Sequence, residues 1–223
     1  MNRFDLNGTW KLKGGEYDTQ GAVPGSVYSV LLENGLMEDP FYRDNELKSL
    51  AIMDNEFVFS KKFSYKKTAK KITLVCEGID TVCDLILNGK KIAHTENMHR
   101  TYRIDVSSAL KDGENEIQAV FIPLDKYIKE CNEERFVPAE RIPLWGFSHV
   151  RKAHCMLGWD WGPRLPDAGI WKDIYLLEED TPYVTGVRIL QRHKGASVYL
   201  TVTAETNIKC DVDVTVVSPD GKR

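Results

Sequence analysis

The sequence predicts an all-β fold, an antiparallel β-sandwich, on three observations. Apolar residues recur at a period of two through most of the chain. An Asn-Gly pair separates two of these runs, the mark of a hairpin. Helical periodicity is confined to two short stretches.

The elements follow in order. Ser26 can cap a short helix with Val27, Val30 and Leu31 on one face, and Asn34-Gly35 can end it. Phe57, Phe59 and Phe63 then alternate with Ser60, Lys62 and Ser64 as the first long strand. Ile72, Leu74 and Cys76 alternate with Thr73, Val75 and Glu77. Cys83, Leu85 and Leu87 lead into Asn88-Gly89, where both residues tolerate positive φ, and Lys91 to His94 form the return strand. Ile117, Ala119 and Phe121 make a further strand. Leu124, Tyr127, Ile128 and Cys131 stand at i, i+3, i+4 and i+7, the spacing of a second short helix. A strand from Trp171 to Leu177 closes the sandwich.

Glu178-Glu179-Asp180-Thr181-Pro182 reads as an acidic linker, which gives a first domain over 1–179 and a second segment over 180–223. In that segment Val198, Leu200, Val202 and Ala204 fit one strand. Cys210, Val212, Val214 and Val216 fit the next. Ser218-Pro219-Asp220-Gly221 then forms a turn with no return strand. Room for about three strands falls short of the roughly seven that an immunoglobulin-like sandwich needs. The expectation is a second domain cut short in a fragment; the alternative is a tail that adds a hairpin to the first domain.

Composition excludes several classes. A net charge of −3 selects for neither nucleic acid nor an anionic membrane. No apolar run approaches the ~20 residues that cross a bilayer. The first residues, Met1-Asn2-Arg3-Phe4-Asp5-Leu6, carry no signal-peptide pattern. The five cysteines are odd in number and lack C-x-x-C spacing. They read as free thiols, which favours a reducing compartment and a cytoplasmic location. The five histidines include His149 and His154 close together, without further ligands at zinc spacing. No phosphate loop and no serine elbow is present, so no metal or cofactor is expected.

The least regular stretch, from about Cys131 to Gly169, holds Pro138, Pro143, Pro163 and Pro166 together with Trp145, Trp159 and Trp161. Long ordered loops in compact domains are usually functional. Within it lies Gly158-Trp159-Asp160-Trp161-Gly162-Pro163. An indole can cover the C–H face of a sugar, and a carboxylate can accept hydrogen bonds from its hydroxyls. Glycine permits a tight backbone and proline stiffens the exit. On chemistry alone, two core tryptophans flanking a turn-capping aspartate fit the segment equally well.

The run from His149-Val150-Arg151-Lys152-Ala153 through Gly158-Trp159-Asp160-Trp161-Gly162-Pro163-Arg164-Leu165-Pro166 to Ala168-Gly169-Ile170-Trp171 resembles the β-mannosidase branch of glycoside hydrolase family 2. Phe4 to Trp10, Val23 to Tyr28, Asp39 to Glu46, Gly78 to Thr81 and Leu87 to Gly89 resemble its upstream segments in the same order. The likeness spans about residues 4 to 177. It implies a jelly-roll sandwich of the galactose-binding type, followed here by the truncated start of an immunoglobulin-like sandwich. It also implies a downstream TIM barrel that carries the catalytic glutamates, so no catalytic residue is expected in this chain. The loop would reach the barrel's mouth, with Asp160 on the hydroxyls of a terminal β-mannosyl unit, Trp159 walling the subsite and Trp161 bracing the loop from behind. The implied partners are terminal β-mannosides and the chain's own barrel. Two departures stand out: the family's tryptophans are missing around the strand Ser49 to Phe57, and His99 stands where phenylalanine is common. The Asn-Glu pairs at Asn45, Asn55, Asn115 and Asn132 resemble the acid/base dipeptide of related barrels. They lie outside any β/α alternation, which argues against a catalytic role. Another family 2 hydrolase, a β-galactosidase or β-glucuronidase, and a non-catalytic carbohydrate-binding module are the competing readings.

Overall fold

The computed structural model describes residues 2–138 and 146–221. Pro143 and Trp145 of the long loop lie outside the described residues. The chain divides into two compact units, one over Asn2–Glu178 and one from Glu179 onward.

The larger unit is an antiparallel β-sandwich. Its six-stranded sheet runs in the order Tyr17–Val23, Gly8–Gly14, Phe57–Tyr65, Gly113–Phe121, Val82–Leu87, Lys90–Glu96. The four-stranded sheet runs Arg3–Asp5, Ile174–Glu178, Ile72–Cys76, Tyr102–Asp105. One core joins the inward rows of both. Leu12, Phe57, Phe59, Leu85, Leu87, Ile117 and Phe121 from the first sheet meet Ile72, Leu74, Cys76, Ile174 and Leu176 from the second. Period two marks the buried face along Phe57–Tyr65 and Gly113–Phe121, as the alternation predicts, whereas Ile72–Cys76 is buried on both faces, Thr73 and Val75 included. Trp10 anchors one end of this core, fully buried, with its indole N–H donating to Leu6 O at 2.8 Å.

Asn88-Gly89 forms the expected hairpin, with φ of +52° and +80°. Asn88 also reaches across the sheet. Its amide donates to Ala109 O and to Asn115 Oδ1, while its own Oδ1 accepts from Glu116 N. Asn115 is buried and donates to Lys111 O and Gly113 O. The Asn115-Glu116 pair is thus a structural clasp. Asn115→Ala strands several of these buried groups, so we expect a loss of about 2–3 kcal/mol in urea unfolding.

Helix α1 (Val27–Glu33) begins at Ser26 in a reciprocal cap with Ser29 and ends at Asn34, as the sequence predicts. Helix α3 (Leu124–Glu134) carries Leu124 and Ile128 inward. Between them, helix α2 (Asn45–Ile52) replaces the beginning of the strand expected over Ser49 to Phe57, and strand pairing starts only at Phe57. Helical apolar periodicity does not flag α2, because the residues it buries are Asn45 and Ser49. Asn45 donates to Asp39 O, and Ser49 bonds back to Asn45 O.

Two expectations near the closing strand need correction. Glu178 is the last residue of strand Ile174–Glu178 and accepts from Asn2 and Tyr65, so it is not linker. In the smaller unit, Val184–Lys194 pairs with Ser197–Thr206 as a two-stranded hairpin. Residues Cys210 to Val216 form no strand; Val214 and Val216 are exposed. Alternation there is not sufficient, since a strand exists only where a neighbour completes its backbone hydrogen bonds.

Candidate functional site

The Gly158–Pro163 segment folds as a tight hairpin. Leu157–Trp159 pairs with Gly162–Arg164, and Asp160 and Trp161 form the turn. Gly158 has φ of +89°, and a Cβ there would lie 2.9 Å from the Arg164 Cβ. Only glycine suits that position. Pro163 falls between the two paired positions, where its missing N–H removes no ladder bond.

Two acidic side chains aim the hairpin. Glu46, on α2, accepts the Arg164 backbone N–H at 2.6 Å. Asp125, on α3, accepts from Arg164 Nη2 at 2.5 Å. Glu46 is thereby identified as a brace, which answers the suspicion raised by the Asn45-Glu46 pair. Glu46→Ala frees one strand of the hairpin from its helix, and we expect a modest stability loss of about 1–2 kcal/mol, checked by thermal melting.

The hairpin presents its tip to solvent. Trp159 is 42% exposed and Trp161 77% exposed. Their rings lie 5.0 Å apart, tilted by 30°. Within this unit Trp161 touches the hairpin through the Trp159 ring, while Glu46 and Asp125 hold the hairpin through Arg164. Asp160 is exposed and makes no hydrogen bond or ion pair among the described residues. Beside the tip lies a groove of about 500 Å³, lined by both tryptophans with Phe41, Leu32, Met156 and Leu165. Its walls are largely apolar.

At the groove's base sits Asp167, which sequence reasoning did not single out. Its Oδ1 accepts from Tyr28 N at 3.0 Å and from Ala168 N at 2.8 Å. Burial nevertheless pushes its carboxyl up to about 6, against the opposing pull of Ser26, those two N–H groups and Lys152. A carboxyl raised in the folded state binds more protons there than in the unfolded chain. It contributes stability below the ordinary carboxylate range, and that contribution disappears as pH rises to about 6. Asp167→Asn should flatten this component, so that variant minus wild-type stability grows more favourable between pH 4 and pH 6.5, measured by urea unfolding. A constant difference would remove the assignment.

Below Asp167 is a buried ion pair. Lys152 Nζ lies 2.5 Å from both Asp80 oxygens and 2.7 Å from Asp167 O. The two side chains are 1% and 6% exposed. The remaining polar candidates are structural. His154 packs edge-on to Phe147, and His149 Nε2 stands 3.4 Å from Asn132 Oδ1. Among the described residues no three potential ligands cluster around a metal position.

With the geometry established, the relatives can be set beside it. A family model for the glycosyl hydrolase 2 galactose-binding domain-like family matches residues 10–172. The β-mannosidase of Bos taurus is 38% identical over 184 residues, covering 77% of this chain and 21% of that protein. The β-mannosidase of Rattus norvegicus is 31% identical over 232 residues, covering 98% of this chain and 26% of that protein. The crystal structure of a β-D-mannosidase from Dictyoglomus thermophilum matches with a TM-score of 0.84 at 32% identity, over 92% of this chain and 26% of that one. The chain spans about a quarter of the length of these relatives. It belongs to the galactose-binding-domain-like family of glycoside hydrolase family 2, with β-mannosidases among its relatives.

Proposed function

We propose that this chain is the N-terminal, sugar-contacting part of an exo-acting, retaining β-mannosidase, whose acid/base and nucleophile lie in a downstream TIM barrel. The observation that carries the reading is the Trp159-Asp160-Trp161 tip. It is a carboxylate without a partner among the described residues, flanked by two exposed indoles on a hairpin that two helices hold through Arg164. Asp160 accepts from hydroxyls of the terminal β-mannosyl unit. Trp159 covers the sugar's apolar face, and Trp161, tilted against Trp159, extends that wall. The smaller unit is the start of an immunoglobulin-like domain. All five thiols are free, which supports a reducing, cytoplasmic setting.

Retaining hydrolysis needs two carboxylates about 5–5.5 Å apart across the scissile bond. Apart from Asp160, the carboxylates at the hairpin have other duties: Glu46 and Asp125 are tied to Arg164, and Asp167 to backbone N–H groups, so no second carboxylate is left to pair with Asp160. The 223-residue chain alone is therefore expected to leave an aryl β-mannoside unhydrolysed. The full-length enzyme should hydrolyse that substrate faster than the matching galactoside or glucuronide. The reverse order would make the protein a different family 2 hydrolase. Submillimolar mannose binding by the 223-residue chain in calorimetry would instead make it a binding module.

A further inference from the structure

A second concavity, of about 430 Å³, shares no lining residue with the groove beside the tryptophans. It opens against strand Lys90–Glu96, the edge of the six-stranded sheet. Its walls are polar, with Arg100 and Arg151 as pure donors beside Tyr102, His94, Asn97, Ser148 and His149, and Glu96 as the acceptor.

Tyr102 is held in an unusual way. Its phenolic oxygen accepts the backbone N–H groups of Glu96 at 3.2 Å and Asn97 at 3.1 Å. Both lone pairs are then used, so its proton is left to be donated, and no acceptor for it exists among the described residues. Arg100 lies over the Tyr102 ring, 5.5 Å from its centroid. Arg151 is pinned through its backbone, donating to Glu96 O and accepting from Met98 N. One of its five N–H groups goes to Ser148 O at 3.1 Å. Neither arginine has a carboxylate partner among the described residues, in a chain whose net charge is −3. Two guanidiniums without an ion pair among the described residues and a phenolic proton share one concave wall, with the Glu96 carboxylate in the same lining, and make a donor set for an anion.

Glu96 narrows the class of anion. One of its oxygens accepts from Tyr127 OH at 3.1 Å, and the other makes no hydrogen bond among the described residues. A carboxylate at the rim repels a dianion more than a monoanion, and it accepts readily from a hydroxyl. We infer that this cleft binds an acidic saccharide, with Arg100, Arg151 and Tyr102 on the sugar's carboxylate and Glu96 on a ring hydroxyl. The site is independent of the hairpin and stands whether or not the hairpin contacts mannose.

The test is a titration of isotopically labelled 223-residue protein with glucuronate, glucose and inorganic phosphate, followed by amide chemical shifts. Glucuronate should saturate in the millimolar range and move amides of residues 94–102 and 148–151. Glucose and phosphate should each bind at least about tenfold more weakly, for want of the charge or of the hydroxyl contacts. Arg100→Gln and Arg151→Gln, both at exposed positions and checked by thermal melting, should each weaken glucuronate by about tenfold. Failure to saturate, equal binding of glucose, phosphate binding as tight as glucuronate, shifts confined to residues 157–164, or unchanged affinity in both arginine variants would each overturn the assignment.

Discussion

Asp160→Ala in the full-length enzyme is expected to lower kcat/KM for an aryl β-mannoside by about 10²–10⁴-fold while leaving the melting temperature unchanged. The size follows from hydrogen bonds to a charged acceptor, each contributing about 1.5–3 kcal/mol. Two hydroxyl contacts at that strength correspond to about two to four factors of ten, at about 1.4 kcal/mol per factor. The absence of a folding effect follows from Asp160's place at the turn. It is exposed and bonded to nothing among the described residues, so its loss strands no partner. Asp160→Asn keeps the shape and one acceptor but loses the charge, and should fall between alanine and wild type. If the lost contacts form fully only in the transition state, kcat falls; if they bind the ground state equally, KM rises. Kinetics indistinguishable from wild type would take Asp160 out of the sugar site.

Lys152→Met should be the most destabilising single change near the hairpin, at about 3–5 kcal/mol. The substitution leaves the Asp80 carboxylate buried with no cation. It also removes the donor to Asp167 O, which ties the base of the groove to the same ammonium. For a unit of this size each kcal/mol lowers the melting temperature by about 2–4 °C, so a drop on the order of 10 °C is expected. Adding Asp80→Asn to Lys152→Met should recover part of the loss, because no charge then remains to be solvated. A single variant that melts within about 2 °C of wild type would show that Asp80 finds another partner or takes up a proton.

How much of this was legible beforehand depended on range. The long strands of the sandwich, the Asn88-Gly89 turn, α1 and α3 were readable because their causes are local. Period two places Phe57, Phe59, Leu85 and Ile117 on one face whatever they later meet, and Ser26 caps its own helix. The hairpin could be located because Gly158 and Pro163 state a backbone requirement within a few residues of the tryptophans. Helix α2 was missed because it turns Asn45 and Ser49 inward, against the usual pattern, and satisfies them with backbone oxygens that only folding brings near. The valines after Cys210 were read as a strand because alternation says which face would be buried, not whether a neighbour exists.

The amino-acid sequence by itself determined the all-β class, the strand faces and the position of the Trp159-Asp160-Trp161 tip. Tertiary structure decided how that tip is held. Glu46 reaches Arg164 across 118 positions, Lys152 reaches Asp80 across 72, and Asp167 meets Tyr28 across 139. No periodicity links residues so far apart. Their pairing is set by which buried donors and acceptors the packed sheets and helices leave facing one another, since each must find a partner once water is excluded.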